Sequence, residues 1–488
     1  MNGARYFRRT LSAFALTIGT LAVSAPALCR PTTGEVHAPK PVPMTVEQIV
    51  ARAPDGKKLG TLVVPSLVAA KRDVGRPVIF AFNGGPGAAS GWLQLGLLGP
   101  LRIVLADDPA KAIPPSPPLE RAKDGLWDVA DIVFIDPLGT GFSRVDAGVP
   151  NALVQDWRGD GDYIAGAIRE WLTRHGRADA PVLLIGESYG TERAVAVADA
   201  LTRGDSPIRL TGVVLVSQSI TVENSLQRNG NDLGTAIGLP TIAATACYWK
   251  KAKGAPKNCA AAAQEYALGH YLPALAAGNH LSIARRAAVE RRMSRITGLP
   301  ADHFNKNGLP LTKDAYRQLA LAKDGRLLGV YDSRYAAPID PARKGQDPSF
   351  DILLPAMEDA AARANQMLLG LSASPVDGSA YRLVDLSLGE QWGYGGLADP
   401  YRSLDMMGVL AQSLRRSGGR LMIAGGLFDT AGSYGADHYL ASHIDLPRDA
   451  VDLASYDGGH MFYLNGESRR AFLAALRTFT TRASGDRK

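Results

Sequence analysis

The feature that most constrains the fold is a short motif at residues 186–190. An apolar run at 181–185 leads directly into Gly-Glu-Ser-Tyr-Gly, and a helical pattern begins at once. A G-x-S-x-G sequence between a strand and a helix is typical of a sharp turn that carries a nucleophilic serine. The two glycines suit a strained backbone, because side chains at these positions would collide with their neighbours. The motif therefore predicts Ser188 as a nucleophile, and the alternative is an ordinary turn between a strand and a helix.

Apolar runs and helical patterns alternate along much of the chain. The strand-like runs are 60–65, 77–82, 131–135, 181–185, 210–216, 420–424 and 450–456, and the helical patterns are 156–175, 189–201, 432–443 and 468–481. This alternation predicts an α/β domain with a largely parallel sheet. The 488 residues are 46% hydrophobic and 21% charged. That composition is typical of a globular protein, so wholesale disorder, collagen and coiled coil are excluded.

A helical, Ala-rich stretch from about residue 220 to 385 interrupts the alternation and holds most of the excess of basic residues. We therefore predict a signal peptide at 1–29, the first part of the sheet domain at 30–225, a helical cap at 226–385 and the second part of the sheet domain at 386–488. Five arginines at 285–295 predict either a solvated helix face or a surface that attracts acidic substrates. The net charge of +7 falls to +4 without the three arginines of residues 1–29, and this mild excess is accompanied by no nucleic-acid-binding motif, so we predict no nucleic acid partner.

The first 29 residues have the features of an export signal. Three arginines precede an apolar stretch at 11–23, and an A-x-A cleavage site ends at Ala27, with Ala27-Leu28-Cys29 as a second option. A transmembrane anchor is the alternative, although the stretch is short for a span. A twin-arginine signal fits poorly, and Leu28 is too large for a lipoprotein signal ending at Cys29. We expect a periplasmic or secreted protein with no stable membrane insertion after cleavage.

Two cysteines, Cys247 and Cys259, remain in the mature chain, or three if Cys29 is retained. An even pair in an oxidising compartment predicts a disulfide, and two isolated buried cysteines are the alternative. The loop between them contains glycine and proline, which suit a turn between two helices. Because two cysteines without clustered histidines do not form a zinc site, no metal is predicted.

A serine nucleophile needs an imidazole base, and the imidazole needs a carboxylate that orients it. Asp429 lies in a loop just after the apolar run at 421–426, and His460 lies in a glycine-rich loop after the run at 454–456. Both follow the carboxyl ends of strands, where the sites of open α/β sheets gather. These two residues are therefore the predicted acid and base. The rival acids are Asp437 and Asp457, and the rival bases are His175, His438 and His443.

Residues 83–87, Asn-Gly-Gly-Pro-Gly, follow another apolar strand. Their glycines leave backbone amides free to point at an anion. Hydrolases of this architecture form an oxyanion hole from such a loop and from the amide after the nucleophile. The amides of Gly85 and Tyr189 are the predicted pair. A plain turn is one alternative, and a phosphate-binding loop fails because no Gly-Lys-Ser/Thr follows.

Five segments together resemble the serine carboxypeptidase family, and their order and spacing agree over roughly residues 45–480. The segments are NGGPG at 83–87, DPLGTGFS at 136–143, GESYG at 186–190, and residues 426–429 and 458–460. The resemblance implies an α/β-hydrolase fold with a mostly parallel sheet, a helical cap inserted before the acid, acyl-enzyme chemistry and no cofactor. Ser188, Asp429 and His460 match the triad positions of the family, and Gly85 and Tyr189 match its oxyanion hole.

The resemblance also implies recognition of the free carboxylate at the C-terminus of a peptide. Asn83 and Glu187 match two residues of that network, in which the two carboxyl groups share a proton in acid. Ala81 stands where the family has a tryptophan, Leu97 where it has a glutamate and Ala88 where it has a cysteine. The first two changes remove half of the clamp for the carboxylate. We expect an exported serine peptidase of carboxypeptidase type, with an esterase or acyltransferase and an inactive binding protein as alternatives.

Overall fold

The computed structural model describes residues 43–485 apart from 71, 72, 74, 205, 252–255, 344 and 394–404. The predicted signal peptide and its cleavage options at Ala27 and Cys29 lie outside the described residues. The strands are β1 (Met44–Arg52), β2 (Lys58–Leu67), β3 (Val78–Phe82), β4 (Leu101–Ile103), β5 (Leu119–Arg121), β6 (Asp131–Phe134), β7 (Arg144–Val145), β8 (Val182–Glu187), β9 (Leu210–Val216), β10 (Arg326–Leu328), β11 (Ala336–Pro338), β12 (Arg420–Gly426) and β13 (Val451–Tyr456). The α-helices are α1 (Gly91–Leu93), α2 (Trp157–Arg174), α3 (Tyr189–Thr202), α4 (Val222–Ser225), α5 (Asp232–Trp249), α6 (Pro256–Tyr266), α7 (Leu272–Ala277), α8 (Ile283–Thr297), α9 (Ala301–Asn307), α10 (Lys313–Leu319), α11 (Pro348–Leu369), α12 (Leu386–Glu390), α13 (Met406–Ser417), α14 (Tyr434–His443) and α15 (Gly466–Gly485).

The central sheet has the strand order β1-β2-β6-β3-β8-β9-β12-β13, and β7 pairs with β2 outside this path. Every neighbouring pair from β6 to β13 is parallel, whereas β2 is antiparallel to β1 and β6. The predicted α/β class with a largely parallel sheet is confirmed. Strand β1 begins at Met44 and was not among the strand-like runs predicted from the sequence.

The central strands are apolar on both faces because helices cover both faces of the sheet. All residues of β8 and β9 are buried. Alternate side chains enter two different clusters: Phe80 and Leu184 pack with α2 and α3, while Ile79 and Leu183 pack with α15. Each buried side chain of this size contributes about 1.5–3 kcal/mol, so the two clusters hold the sheet and its loops in one arrangement.

A mainly helical insertion lies between β9 and β12 and includes the predicted cap at 226–385. Its first long helices, α5 and α6, are joined by a disulfide between Cys247 and Cys259. The sequence indicated no strong strand here, but β10 and β11 form a short antiparallel hairpin. Buried residues of α11 belong to the same apolar cluster as one face of the sheet, so this part of the insertion extends the core.

The arginines at 285–295 lie on α8, and two of them have partners within the insertion. Arg286 pairs with Glu290 at 2.9 Å, and the guanidinium of Arg292 lies 5.5 Å from the ring of Tyr266. In the part of the chain that the structure describes, no helix is long and apolar enough to cross a membrane.

The carboxyl ends of β3, β8, β12 and β13 lie along one edge of the sheet, because these strands run parallel. The loops that follow them carry residues 83–87, Ser188, Asp429 and His460, respectively. The topology therefore gathers four segments that are far apart in sequence, as expected for the site of an open α/β sheet.

Candidate active site

Ser188 occupies a sharp turn between β8 and α3. Its backbone has φ 59° and ψ −132°, a region that a residue with a side chain adopts only under constraint. Its amide donates a hydrogen bond to the carbonyl of Val216 at 3.0 Å, which ties the turn to β9. A Cβ atom at Gly186 would collide with the carbonyl oxygen of Gly190. Both glycines are therefore required by the close approach of the backbone on either side of the serine.

The loop at 83–87 lies directly against this turn. A Cβ atom at Gly84 would collide with the backbone nitrogen of Tyr189, and one at Gly190 would lie 2.8 Å from the carbonyl oxygen of Phe82. Gly85 has φ 99°, a conformation that favours glycine. The structure thus brings the loop that carries Gly85 beside the amide of Tyr189, the two groups predicted to bind an oxyanion.

Asp429 and His460 form a buried pair. His460 Nδ1 lies 2.8 Å from Asp429 Oδ2, and the second carboxylate oxygen accepts a hydrogen bond from the amide of Gly432 at 2.9 Å. His460 Nε2 has no hydrogen-bond partner among the described residues. Burial lowers the pKa of His460, but the negative charge of Asp429 and its hydrogen bond more than offset this, so the pKa is raised. The pair therefore presents an oriented imidazole with one free ring nitrogen.

The backbone of His460 is held from two sides. Its amide donates to the carbonyl oxygen of Tyr331 at 2.5 Å, and its carbonyl accepts from Ser217 Oγ at 2.6 Å. The ring of Tyr331 meets the imidazole edge-on, with centroids 4.9 Å apart. Since Tyr331 belongs to the insertion, that region helps to position the histidine.

The rival acids and bases have other partners. Asp437 accepts a hydrogen bond from Gln218 at 3.2 Å, and Asp457 pairs with Arg334 at 3.3 Å. The rival histidines lie against aromatic rings: His175 stacks on Trp171, His443 stacks on Tyr439, and His438 packs at a tilt against Tyr434. Among the candidates named from the sequence, Asp429 is the acid that the structure pairs with His460.

Glu187, the residue before the serine, is a second buried carboxyl group and is only 2% exposed. Its Oε2 atom accepts hydrogen bonds from Asn83 Nδ2 at 2.8 Å and from the hydroxyl of Tyr463 at 2.5 Å. Burial raises its pKa to about 7, although the charge of His460 and the two hydrogen bonds act in the opposite direction. Glu187 therefore changes its protonation state near neutral pH.

The residues that depart from the family pattern are apolar and buried. Ala81 and Leu97 are 0% and 1% exposed and pack in the cluster on one face of the sheet. Ala88 forms an isolated antiparallel bridge with Val384. None of these side chains can donate or accept a hydrogen bond, so the polar partners of Glu187 come from elsewhere.

The structure adds three residues that sequence reasoning missed: Tyr463, Tyr331 and Lys313. Lys313 is buried and its Nζ donates to the carbonyl oxygen of Gly432, in the loop that follows Asp429. Burial lowers the pKa of Lys313 to about 8. The short spacing between His460 and Tyr463 was the only sequence signal for the tyrosine, and none pointed to the two residues of the insertion.

Within the described ranges, no group of three or more His, Cys, Asp or Glu side chains is arranged to hold a metal ion. The polar groups at this edge of the sheet are instead a hydroxyl, an imidazole, two carboxyl groups and backbone amides. That set of groups suits acyl transfer through a serine.

Comparisons with known proteins concern the fold and part of the sequence. A family model described as serine carboxypeptidase matches residues 66–250. A prohormone-processing carboxypeptidase from Saccharomyces cerevisiae aligns over 91% of this chain and 92% of its own, with 14% identity and a TM-score of 0.51. A proline iminopeptidase from Mycobacterium smegmatis aligns over 90% and 99%, with 13% identity and a TM-score of 0.35. No curated protein matches the chain. The expected α/β-hydrolase fold is confirmed.

Proposed function

We propose that this chain, whose residues 66–250 match a family model described as serine carboxypeptidase, removes the C-terminal residue from peptides by way of an acyl-enzyme. The observation that carries the proposal is the hydrogen-bonded pair of Asn83 and Glu187, which adjoins Ser188 at the edge of the sheet. A buried carboxyl group with a pKa of about 7 can donate a proton to a substrate carboxylate in acid.

The chemical steps use Ser188, His460 and Asp429. The Ser188 hydroxyl attacks the carbonyl carbon of the last peptide bond while His460 Nε2 takes its proton. The C–N bond then breaks, and the imidazolium gives that proton to the departing amine. Water hydrolyses the resulting ester by the same route in reverse. The free Nε2 and the 2.8 Å bond from Nδ1 to Asp429 support this assignment.

The developing oxyanion is assigned to the amides of Gly85 and Tyr189. Backbone donors fixed in advance stabilise the negative charge without having to reorganise during the reaction. The contact of the loop at 83–87 with the amide of Tyr189 supports this assignment. No step of this mechanism requires a cofactor.

The insertion is proposed to act as a cap over the site, and the contact of Tyr331 with His460 supports this. The chain is also proposed to be exported to the periplasm or secreted, since its first 29 residues have the order of a signal peptide. Sequencing the N-terminus of protein recovered outside the cytoplasm tests the second proposal. A mature chain that begins after Ala27 or Cys29 is expected, and an intact N-terminus would contradict cleavage.

A second candidate function is an esterase or acyltransferase that uses the same residues. The apolar side chains of Ala81 and Leu97 favour it, because they contribute nothing to the recognition of a carboxylate. This candidate predicts good turnover of activated esters and little of blocked dipeptides. An inactive binding protein is the weaker alternative, and it would not react with a fluorophosphonate at Ser188.

The experiment compares the mature protein with Ser188→Ala. Release of the last residue from N-blocked dipeptides is followed beside the matching C-terminal amides and a p-nitrophenyl ester, in acid and at neutral pH. Preference for the free acid, strongest in acid and absent in the variant, is the expected result. Turnover of the ester alone, without cleavage of the dipeptides, would instead support the second candidate function.

A further inference from the structure

One hydrogen bond to Glu187 comes from a residue that none of the sequence motifs indicated, Tyr463. The position where the family has a glutamate holds Leu97, whose side chain is buried in an apolar cluster. Its neighbour Gly96 lies against the ring of Tyr463, and a Cβ atom at Gly96 would collide with the Cε2 and Cδ2 atoms of that ring. The absence of a side chain at 96 is therefore what admits the tyrosine.

Tyr463 is fully buried, and its hydroxyl lies 2.5 Å from Glu187 Oε2. It belongs to the short turn Phe462–Leu464, directly after the loop that carries His460. Burial and the neighbouring charge of Glu187 raise the pKa of Tyr463 well above its usual range, so the hydroxyl keeps its proton. The tyrosine is thus a fixed donor, attached to the segment that also holds the base.

The two donors to Glu187 meet the same oxygen atom. Asn83 and Tyr463 both donate to Oε2, and neither of these two hydrogen bonds involves Oε1. A carboxylate oxygen that accepts two hydrogen bonds is disfavoured as the site of protonation. In the neutral form of Glu187 the proton therefore resides on Oε1, from which it can be donated to an incoming carboxylate.

We propose that Tyr463 is a positioning residue for the C-terminal carboxylate of the substrate: with Asn83 it holds Oε2 of Glu187 and thereby orients Oε1 as the donor. This inference rests on the proposed carboxypeptidase function. The role of Tyr463 explains how the carboxyl group of Glu187 can be oriented although residue 97 contributes no polar atom. The tyrosine acts through Glu187 and does not itself contact the reacting bond.

The pH dependence involves every charged group that faces Glu187. These groups are His460, which favours the ionised form of Glu187, and Asp429, which disfavours it. The Tyr463 hydroxyl and the Asn83 amide also favour the ionised form by donating to it, and Tyr331 lies close enough to respond to the charge of Glu187. Removal of the tyrosine hydroxyl therefore raises the pKa of Glu187.

The test measures kcat and KM of Tyr463→Phe for an N-blocked dipeptide with a free carboxylate and for its p-nitrophenyl ester counterpart, from acid to alkaline pH. We expect KM for the free acid to rise about fivefold in acid, since one hydrogen bond is lost, while kcat and both ester constants stay within about twofold. The pH at which KM begins to rise should also shift to a higher value, because the variant raises the pKa of Glu187. An unchanged KM with an unchanged pH limit would overturn the proposal.

A matched control separates positioning from loss of stability. Tyr381 is also hydrogen-bonded to a buried carboxyl group, that of Asp136. Tyr381→Phe should cost similar stability and leave KM for the free acid and its pH limit unchanged. An equal change of KM in this variant would show a general effect of stability and overturn the assignment.

A second variant tests the same idea with the hydroxyl retained. Gly96→Ala would displace the ring of Tyr463, so we expect the same rise of KM for the free acid alone. If KM does not change in this variant, the proposal fails. If the wild-type protein itself does not cleave free-acid dipeptides, the proposed function fails first, so the two failures are distinguishable.

Discussion

Two buried carboxyl groups flank the same histidine and have different partners. Asp429 and Glu187 are each 2% exposed. Asp429 is hydrogen-bonded to the imidazole of His460, which can carry a positive charge, whereas the hydrogen bonds of Glu187 come from the neutral donors Asn83 and Tyr463. Similar burial therefore leads to different chemistry, because the partner decides whether a charge is stabilised.

This difference separates their roles. A carboxylate against an imidazole orients the ring and stabilises the imidazolium, as the raised pKa of His460 indicates. A carboxyl group held by neutral donors, with its pKa raised to about 7, is available as a hydrogen-bond donor in acid. If the two groups are separable in this way, substitutions at each should have distinct effects.

The largest effect is expected from Asp429→Asn. The amide carries no negative charge, and its NH2 group can donate to Nδ1 and so favour the wrong tautomer, so kcat should fall about 10⁴-fold for free acids and esters alike. The control is Asp437→Asn, which changes a nearby buried carboxyl group that bonds to Gln218. Steady-state kinetics on both substrates measures the effect. An equal loss of kcat in the control would identify Asp437 as the functional acid.

Glu187 should also affect stability. Its pKa is about 7 in the folded state against 4.5 as its ordinary value, so the folded state binds more protons between these limits. The contribution of this group to the free energy of unfolding is therefore complete below about pH 4.5. It decreases as the pH rises to about 7 and is lost above that pH. Glu187→Gln removes this contribution, so the loss of stability from about pH 5 to about pH 8 should be smaller by about 2–3 kcal/mol in the variant.

Urea unfolding of the wild type and of Glu187→Gln at the two pH values measures that change. Asp437, whose pKa burial also raises to about 7, is present in both proteins and so cancels in the comparison. Equal pH dependence of the two proteins would mean that Glu187 is ionised in the folded state throughout, and the contrast with Asp429 would disappear.

A smaller effect is expected on substrate binding. In the wild type, KM for free-acid dipeptides should rise about tenfold per pH unit above pH 7, as Glu187 ionises and repels the substrate. Glu187→Gln keeps an N–H donor at every pH, so its KM should stay nearly flat over the same range. The p-nitrophenyl ester is the control, because it lacks the carboxylate. A persistent rise of KM in the variant would assign the titration to another group.

The parts of the site that could be predicted from sequence depend on local geometry. The glycines at 186 and 190 and the strand before them define a turn within a few residues, and the loop after β12 indicates an acid at 429. Tyr463 could not be predicted, because its partner Glu187 lies 276 residues away and only the packed fold joins them. Strand β1 was missed for a similar reason, since it is defined by its pairing with β2 and not by its own composition.

The smallest effect tests whether the insertion supports the Asp429 side of the comparison. Lys313 donates to the carbonyl oxygen of Gly432, whose amide donates to Asp429 Oδ1. Because Lys313→Met removes a support of the loop and leaves the Asp429–His460 bond intact, kcat should fall only about threefold to tenfold for acids and esters alike. Lys306→Met, which changes an exposed lysine of the same insertion, is the control and should leave kcat unchanged. A fall confined to free-acid substrates would instead link Lys313 to Glu187, and the two carboxyl groups would no longer be independent.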